Sequence, residues 1–207
     1  MIDAWLQPRL APWLTRMARP LARAGLRADA LTWTGFVLGL AAALAVALGQ
    51  FGLALALLLL SRLCDGLDGA LARLGMPTDR GAFLDISLDM LFYAAMPLGF
   101  AWVDPTANAL AAAFLLAAFV GTGSSFLAYA VMAARRGRSD AGPLRKGFYF
   151  LGGLTEGAET LAVLVAMCLW PAHFAALAWG FGALCLITVG VRVRAGWRDF
   201  GASGHVR

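Results

Sequence analysis

The chain has 207 residues, 61% of them hydrophobic and only 14% charged, and its mean hydropathy is +0.75. So little polar surface excludes a soluble globule and points to an all-α, multi-pass membrane protein; at about 20 residues per span, six spans use most of the length and leave no separate soluble domain. The net charge of +5 and the pI near 9.7 would suit a nucleic-acid ligand, but the placement of the basic residues argues for a membrane surface instead and against a nucleic-acid partner.

Residues 2–24 carry Ile2, Leu6, Leu10, Trp13, Leu14, Met17 and Leu21 on one side of a helical wheel and Arg9, Arg16, Arg19 and Arg23 on the other. That pattern predicts an amphipathic helix lying in the headgroup layer, kinked or begun late because of Pro8, Pro12 and Pro20. Asp3 stands where a signal peptide would be basic, and no short apolar core with a small-residue cleavage site follows, so no removable leader is expected. Residues 1–28 are therefore read as an interfacial segment, 29–195 as the membrane domain and 196–207 as a tail.

Apolar runs of spanning length follow at about 30–49, 52–74, 82–103, 107–132, 147–170 and 173–193. With six helices and both termini on one side, all 17 basic residues fall on or toward that side, and the opposite loops keep only Asp104 and His173. The positive-inside rule then makes both termini cytoplasmic. Trp102, Trp170 and Trp179 fall near the outer ends, and Trp13, Trp33 and Trp197 near the inner ends, as interfacial belts. Cys64, Cys168 and Cys185 form no C-x-x-C pair and read as small buried hydrophobes.

The stretch from Asp65 to Asp89 is the chemical exception. On a helix Asp65, Asp68, Gly69 and Ala72 share one face, and on the next helix Asp85 and Asp89 share another. An aspartate at mid-membrane costs roughly 2.5 to 3.5 kcal/mol, so four unpaired ones facing lipid would cost about 10 to 14 kcal/mol. They must therefore lie near the interface, face a polar cavity or hold cations. Such a set of hard oxygen donors suits Mg²⁺, Mn²⁺ or Ca²⁺. Arg73 can give a phosphate a bidentate contact, while Gly69 and Ala72 let a ligand approach the helix; close helix packing is the competing use of such small residues.

The pattern Asp65-x-x-Asp68-Gly69-x-x-Ala72-Arg73, then Gly81-x-x-x-Asp85-x-x-x-Asp89, resembles the signature of the CDP-alcohol phosphatidyltransferase family. It departs at one point: the seven residues 74–80 separate Arg73 from Gly81, where the usual pattern has eight. Over nearly the whole chain the resemblance is to small bacterial inner-membrane members, with the site at the cytoplasmic face. It implies transfer of a phosphatidyl group from CDP-diacylglycerol to a small polar alcohol with release of CMP, on two Mg²⁺ or Mn²⁺ ions. It further implies metal ligation by Asp65, Asp68, Asp85 and Asp89, with Asp89 also the base, and a homodimer. Gly81 would pack near the nucleotide, and Thr32 and Thr78 match a threonine and a Ser/Thr position that touch phosphate. Asp29, which precedes Thr32, is expected to cap the first span.

The fifth run adds Glu156 and Glu159, i, i+3 on one face, and intramembrane acids mark functional sites by default. They either line the acceptor pocket or pair with Arg62 or Arg145. Arg145 and Lys146 are alternative contacts for a phosphorylated acceptor, as basic residues near this position are in relatives. The Gly121 to Ser125 segment reads as a close helix contact or a dimer surface. Competing functions are transfer from a soluble CDP-alcohol to a lipid acceptor, a cation-binding transporter and a polyprenyl transferase. A permeation path would need polar residues through to the other face, and a polyprenyl transferase two well-separated Asp-rich motifs.

Overall fold

A computed structural model describes residues 2–75, 77–136, 155 and 157–201. These residues form helices α1 (Ile2–Arg23), α2 (Ala28–Ala47), α3 (Phe51–Leu74), α4 (Asp79–Val103), α5 (Pro105–Arg135), α6 (Gly157–Leu169) and α7 (Phe174–Gly201), with one 3₁₀ turn at Pro171–His173 before α7. No strand occurs among the described residues, as the sequence predicts. Four helical stretches, Ala28–Ala47, Asp79–Val103, Pro105–Arg135 and Pro171–Gly201, are long and apolar enough to cross a membrane. Helix α3 is also long enough, but it carries Arg62, Asp65, Asp68 and Arg73. Of the run at 147–170, the part before Thr155 lies outside the described residues.

The helices pack in sequence: α2 lies against α3 and α4, α4 against α5, α5 against α7, and α1 against α3. Phe92, Met96 and Phe100 of α4 are fully buried with Leu58, Leu115, Met167 and Phe174. Phe100 stacks on Phe174 with ring centroids 4.4 Å apart and on Phe51 at 5.9 Å, closing the end of the bundle opposite the aspartates. Asn108 donates to the Phe100 carbonyl at 3.0 Å and satisfies the polar group left in that layer. All six tryptophans assigned to the interfacial belts are exposed.

Turn chemistry sets two of the connections. Gly25 (φ 77°) and Gly49 (φ 71°) are left-handed, and each follows a helix whose last carbonyls are closed by two reversed bonds: Leu26 and Gly25 to Leu21 and Ala22, and Gln50 and Gly49 to Ala45 and Val46. That is the glycine C-terminal motif, and a side chain at either position would be strained.

Helix α1 is continuous through its three prolines, so a late start does not occur. Its apolar side divides. Leu14, Ala18 and Leu21 pack on Ala70 and Leu71 of α3, whereas Leu10, Trp13 and Met17 stay exposed beside the basic face. The division suits a helix docked on the bundle and facing lipid with the rest of its apolar surface.

Backbone approach is closest between α2 and α4. A Cβ at Gly99 would lie 2.5 Å from the Ala43 carbonyl oxygen, and one at Gly39 would lie 2.5 Å from Phe92 Cδ2. The Ser61 hydroxyl of α3 donates to the Gly35 carbonyl of α2 at 2.7 Å, so α2 is held tightly on both sides. The Gly121 to Ser125 segment makes a helix contact: Gly121 faces Val189 of α7 and Gly123 faces Met90 of α4.

Because backbone cannot yield as a side chain can, Gly99→Ala is expected to lower the stability of the purified protein by about 1 to 3 kcal/mol. Gly180, with nothing among the described residues within 4 Å of its added Cβ, is the control, and Gly180→Ala should not lower the thermal melt.

Candidate active site

Antiparallel α2, α3 and α4 bring the start of α2, the end of α3 and the start of α4 to the same end of the bundle. Thr78 caps α4 by accepting from the Gly81 amide at 3.1 Å, so the helix begins with its free amides near the end of α3. Asp29 does not cap α2, as the sequence suggested: the N-cap position belongs to Arg27, and no side chain caps it. One residue inside the helix, the Asp29 carboxylate instead receives a charge-assisted bond from Arg80 of α4. This ion pair joins the first turns of α2 and α4.

Between these elements lies a cavity of about 670 Å³. Its lining includes all six residues expected to meet nucleotide or phosphate, namely Thr32, Gly69, Ala72, Arg73, Thr78 and Gly81, together with Asp68 and Asp85. Among the described residues only the Arg73 guanidinium packs on the Gly69 position, 3.4 Å from where a Cβ would be, and Gly81 is approached by Thr78 and Asp29. The connection from Arg73 to Gly81, one residue short of the usual pattern, still lets both line this cavity.

Asp65, Asp68 and Asp85 each place a carboxylate oxygen within 4.8 Å of the others'. Asp68 is only 6% exposed, and its Oδ2 is buried without a hydrogen-bond partner among the described residues. A buried carboxylate oxygen left unbonded is costly in a structure that otherwise satisfies such groups. Beside two further carboxylates, it is the donor set a hard divalent cation requires, so these residues fit Mg²⁺ or Mn²⁺.

Asp89 stands apart from this trio. Its Oδ1 accepts from Arg62 Nη1 at 2.8 Å, and the same nitrogen lies 3.5 Å from Asp65 Oδ1. Of the two partners expected for the glutamates of the fifth run, Arg62 therefore serves the aspartates. A small pocket deeper than the main cavity is lined by Thr32, Gly35, Arg62, Asp65, Asp85 and Asp89. Sequence reading gave Arg62 no role in the site, although a charge three residues before Asp65 in an apolar run was the available signal.

A second cavity, of about 250 Å³, starts one residue beyond Asp89 at Met90 and includes Tyr93, Thr122, Thr155, Thr160 and Arg192. Arg192 is buried, donates to the Thr122 carbonyl at 3.0 Å and lies against the Phe126 ring. Glu159 is half-buried in the first turn of α6 beside Thr160, while Arg145, Lys146 and Glu156 lie outside the described residues. Arg192 and the threonines, spread over three elements, carried no sequence signal that linked them.

Residues 26–191 match the family model for CDP-alcohol phosphatidyltransferase. The chain is 52% identical over 197 residues to inner membrane protein YnjF of Escherichia coli K12, covering 95% of this chain and 96% of that protein. It is 44% identical over 82 residues to archaetidylinositol phosphate synthase of Methanothermobacter thermautotrophicus, covering 39% of this chain and 42% of that one. Among solved structures it resembles Mycobacterium tuberculosis phosphatidylinositol phosphate synthase with CDP-DAG bound, at a TM-score of 0.65 and 26% identity over 89% of this chain and 93% of that one. The same enzyme in complex with manganese and citrate matches at a TM-score of 0.64 and 25% identity, over 89% of this chain and 88% of that one.

Loss of the Asp68 carboxylate should weaken Mn²⁺ binding by more than the roughly tenfold that even outer partners of a metal site contribute. Titration of Mn²⁺ into purified Asp68→Asn by electron paramagnetic resonance checks this, and wild-type affinity in that variant would remove the trio as a metal site.

Proposed function

The chain belongs to the CDP-alcohol phosphatidyltransferase family, and from that premise we propose that it transfers a phosphatidyl group from CDP-diacylglycerol to a small polar alcohol, releasing CMP. The observation that carries this reading is the cavity between α3 and α4, which gathers Gly69, Ala72, Arg73, Thr78 and Gly81 around the carboxylates of Asp68 and Asp85. A diphosphate is repelled by bare carboxylates and attracted through cations. Asp65, Asp68 and Asp85, joined by Asp89 during turnover, would hold two Mg²⁺ or Mn²⁺ ions. Bound there, the ions would bind the diphosphate and withdraw charge from the reacting phosphorus.

The chain's own residues do the rest. Arg73 holds a phosphate oxygen from the side of α3, while Thr32, Thr78 and the α4 amide end at Gly81 meet the nucleotide. Small side chains at Gly69 and Ala72 let the cytidine diphosphate lie close to α3. Asp89 takes the proton from the acceptor hydroxyl as its oxygen attacks the β-phosphorus. The bond from that phosphorus to the CMP oxygen breaks, and CMP leaves with the electron pair. The acceptor would enter through the second cavity, where Tyr93, Thr122, Thr155, Thr160 and Arg192 offer polar contacts for a hydroxylated molecule. Glu159 would stand at its edge, with Glu156, Arg145 and Lys146 as further candidates. Two relatives are named for synthesis of inositol phosphate lipids, so inositol phosphate heads the acceptor panel.

In the membrane, α3 and α6 would join the four long apolar helices as six spans, with residues 29–195 as the membrane domain. The described ends of α3, α5 and α7 carry Arg73, Arg135 and Arg198, and α1 is basic, which supports a cytoplasmic site with both termini on that side. We place the protein in the bacterial inner membrane as a homodimer, with residues 1–28 interfacial and 196–207 a tail.

Purified protein given CDP-diacylglycerol, Mg²⁺ or Mn²⁺ and one of inositol phosphate, inositol, glycerol 3-phosphate, serine, choline or ethanolamine should release CMP with one acceptor. Asp89→Asn should keep metal-dependent CMP binding and lose at least about 100-fold in turnover, the scale of a general base. Silence across the panel, despite metal-dependent binding of a CDP compound, would exchange the donor for a soluble CDP-alcohol and the acceptor for a lipid.

A further inference from the structure

Helix α1 turns three faces to different surroundings. Leu14, Ala18 and Leu21 dock on α3, where Ala18 is fully buried in a cluster with Ala70 and Leu71, and a Cβ on Gly66 would lie 3.2 Å from Leu14 Cδ1. Beside them Leu10, Trp13 and Met17 form an exposed apolar flank, with Trp13 66% exposed. Arg9, Arg16, Arg19 and Arg23 share a third face and are all exposed. The Arg16 guanidinium carbon sits 5.8 Å from the centroid of the Trp13 ring, where the apolar flank and the basic face meet. No Asp or Glu occurs between Asp3 and Asp29, so no acidic residue interrupts the basic face.

The partner of such a helix must be anionic where it meets the arginines and apolar where it meets the indole. A leaflet of anionic phospholipid has both properties in that order of depth, and a nucleic acid lacks the second. Phosphatidylcholine offers the hydrocarbon but no net charge. We propose that α1 is a binding surface for anionic phospholipid headgroups, with Trp13 and Met17 at the acyl boundary and Arg16, Arg19 and Arg23 on the phosphates. Guanidinium groups suit that role because they donate in pairs to phosphate oxygens. Ala22 at the end of α1, with Leu26 and Arg27 just after it, lines the larger cavity, so lipid gathered along α1 lies at the mouth of the site. This inference goes beyond the transferase reading and does not rest on it.

The test places the full-length chain in nanodiscs of equal phosphatidylglycerol and phosphatidylcholine, with bromine on the acyl chains of one lipid or the other, so that surface charge stays constant. The Trp13 fluorescence is the difference between wild type and Trp13→Phe, normalised to unbrominated lipid. Brominated phosphatidylglycerol should quench it at least about twofold more strongly than brominated phosphatidylcholine, a floor below what three arginines near an anionic surface supply. In the triple variant Arg16→Gln, Arg19→Gln, Arg23→Gln the two lipids should quench equally. Equal quenching in wild type would overturn the proposal whether or not the variant folds. So would a preference that survives the triple substitution. Quenching by neither lipid would mean that a protein surface, such as a second copy of this chain, covers Trp13, and would overturn it too. Quenching needs no turnover, and CMP release needs no lipid preference, so this proposal and the transferase reading can each fail alone.

Discussion

Five carboxylates on α2, α3 and α4 crowd one end of a mostly apolar bundle and repel one another. This electrostatic constraint governs the arrangement of the site end. It is relieved in three ways. Asp29 goes to Arg80 at the mouth and Asp89 goes to Arg62 further in, while Asp65, Asp68 and Asp85 converge with an oxygen of Asp68 left unbonded. The first two are ordinary ion pairs between helices. The third is a set of donors that could hold a divalent cation, with Arg62 beside Asp65 at 3.5 Å.

The constraint explains why the surrounding helices pack as they do. Holding three acidic side chains within 4.8 Å of one another requires α3 and α4 to be fixed to better than a side-chain length, and neither helix touches the other as extensively as each touches α2. Helix α2 serves as the template. Its Gly35, Gly39 and Ala43 sit one turn apart and admit the Ser61 hydroxyl, the Phe92 ring and the α4 backbone at Gly99. The contact is dense because apolar lipid gives helices little hydrophobic reason to associate, so packing must do it. Phe92 then links scaffold and chemistry: one edge meets Gly39, and the ring face carries Arg62.

The two cavities extend this division of labour. The larger one opens among the first turns of α2 and α4 and the last turns of α3, where helix ends supply amides, charge and small residues suited to a diphosphate. The smaller one lies among α4, α5, α6 and α7, lined by rings, threonines and Arg192. Asp85 borders the first, Met90 and Tyr93 border the second, and Asp89 lies between them on α4. A single helix thereby carries a carboxylate at the junction of two differently lined chambers.

By itself the sequence determined that the chain is helical and made for a membrane, because apolar runs of spanning length leave the backbone no other way to satisfy its hydrogen bonds. It also marked the aspartates with Gly69, Ala72 and Arg73, which local periodicity aligns on helix faces, while Thr32, Thr78 and Gly81 were marked by the family resemblance. The tertiary structure decided the rest. Asp29 was legible as a helix cap, yet it lies one residue inside the helix and its nearest cation comes from residue 80, a pairing no local pattern encodes. Arg62 and Asp89 are 27 residues apart and meet only because α2 clamps α3 against α4. Arg192 joins Thr122 across 70 residues in the same way. Spacing along a helix shows which side chains share a face; which face meets another, and which charge finds its partner there, is settled by how closely the backbones can approach.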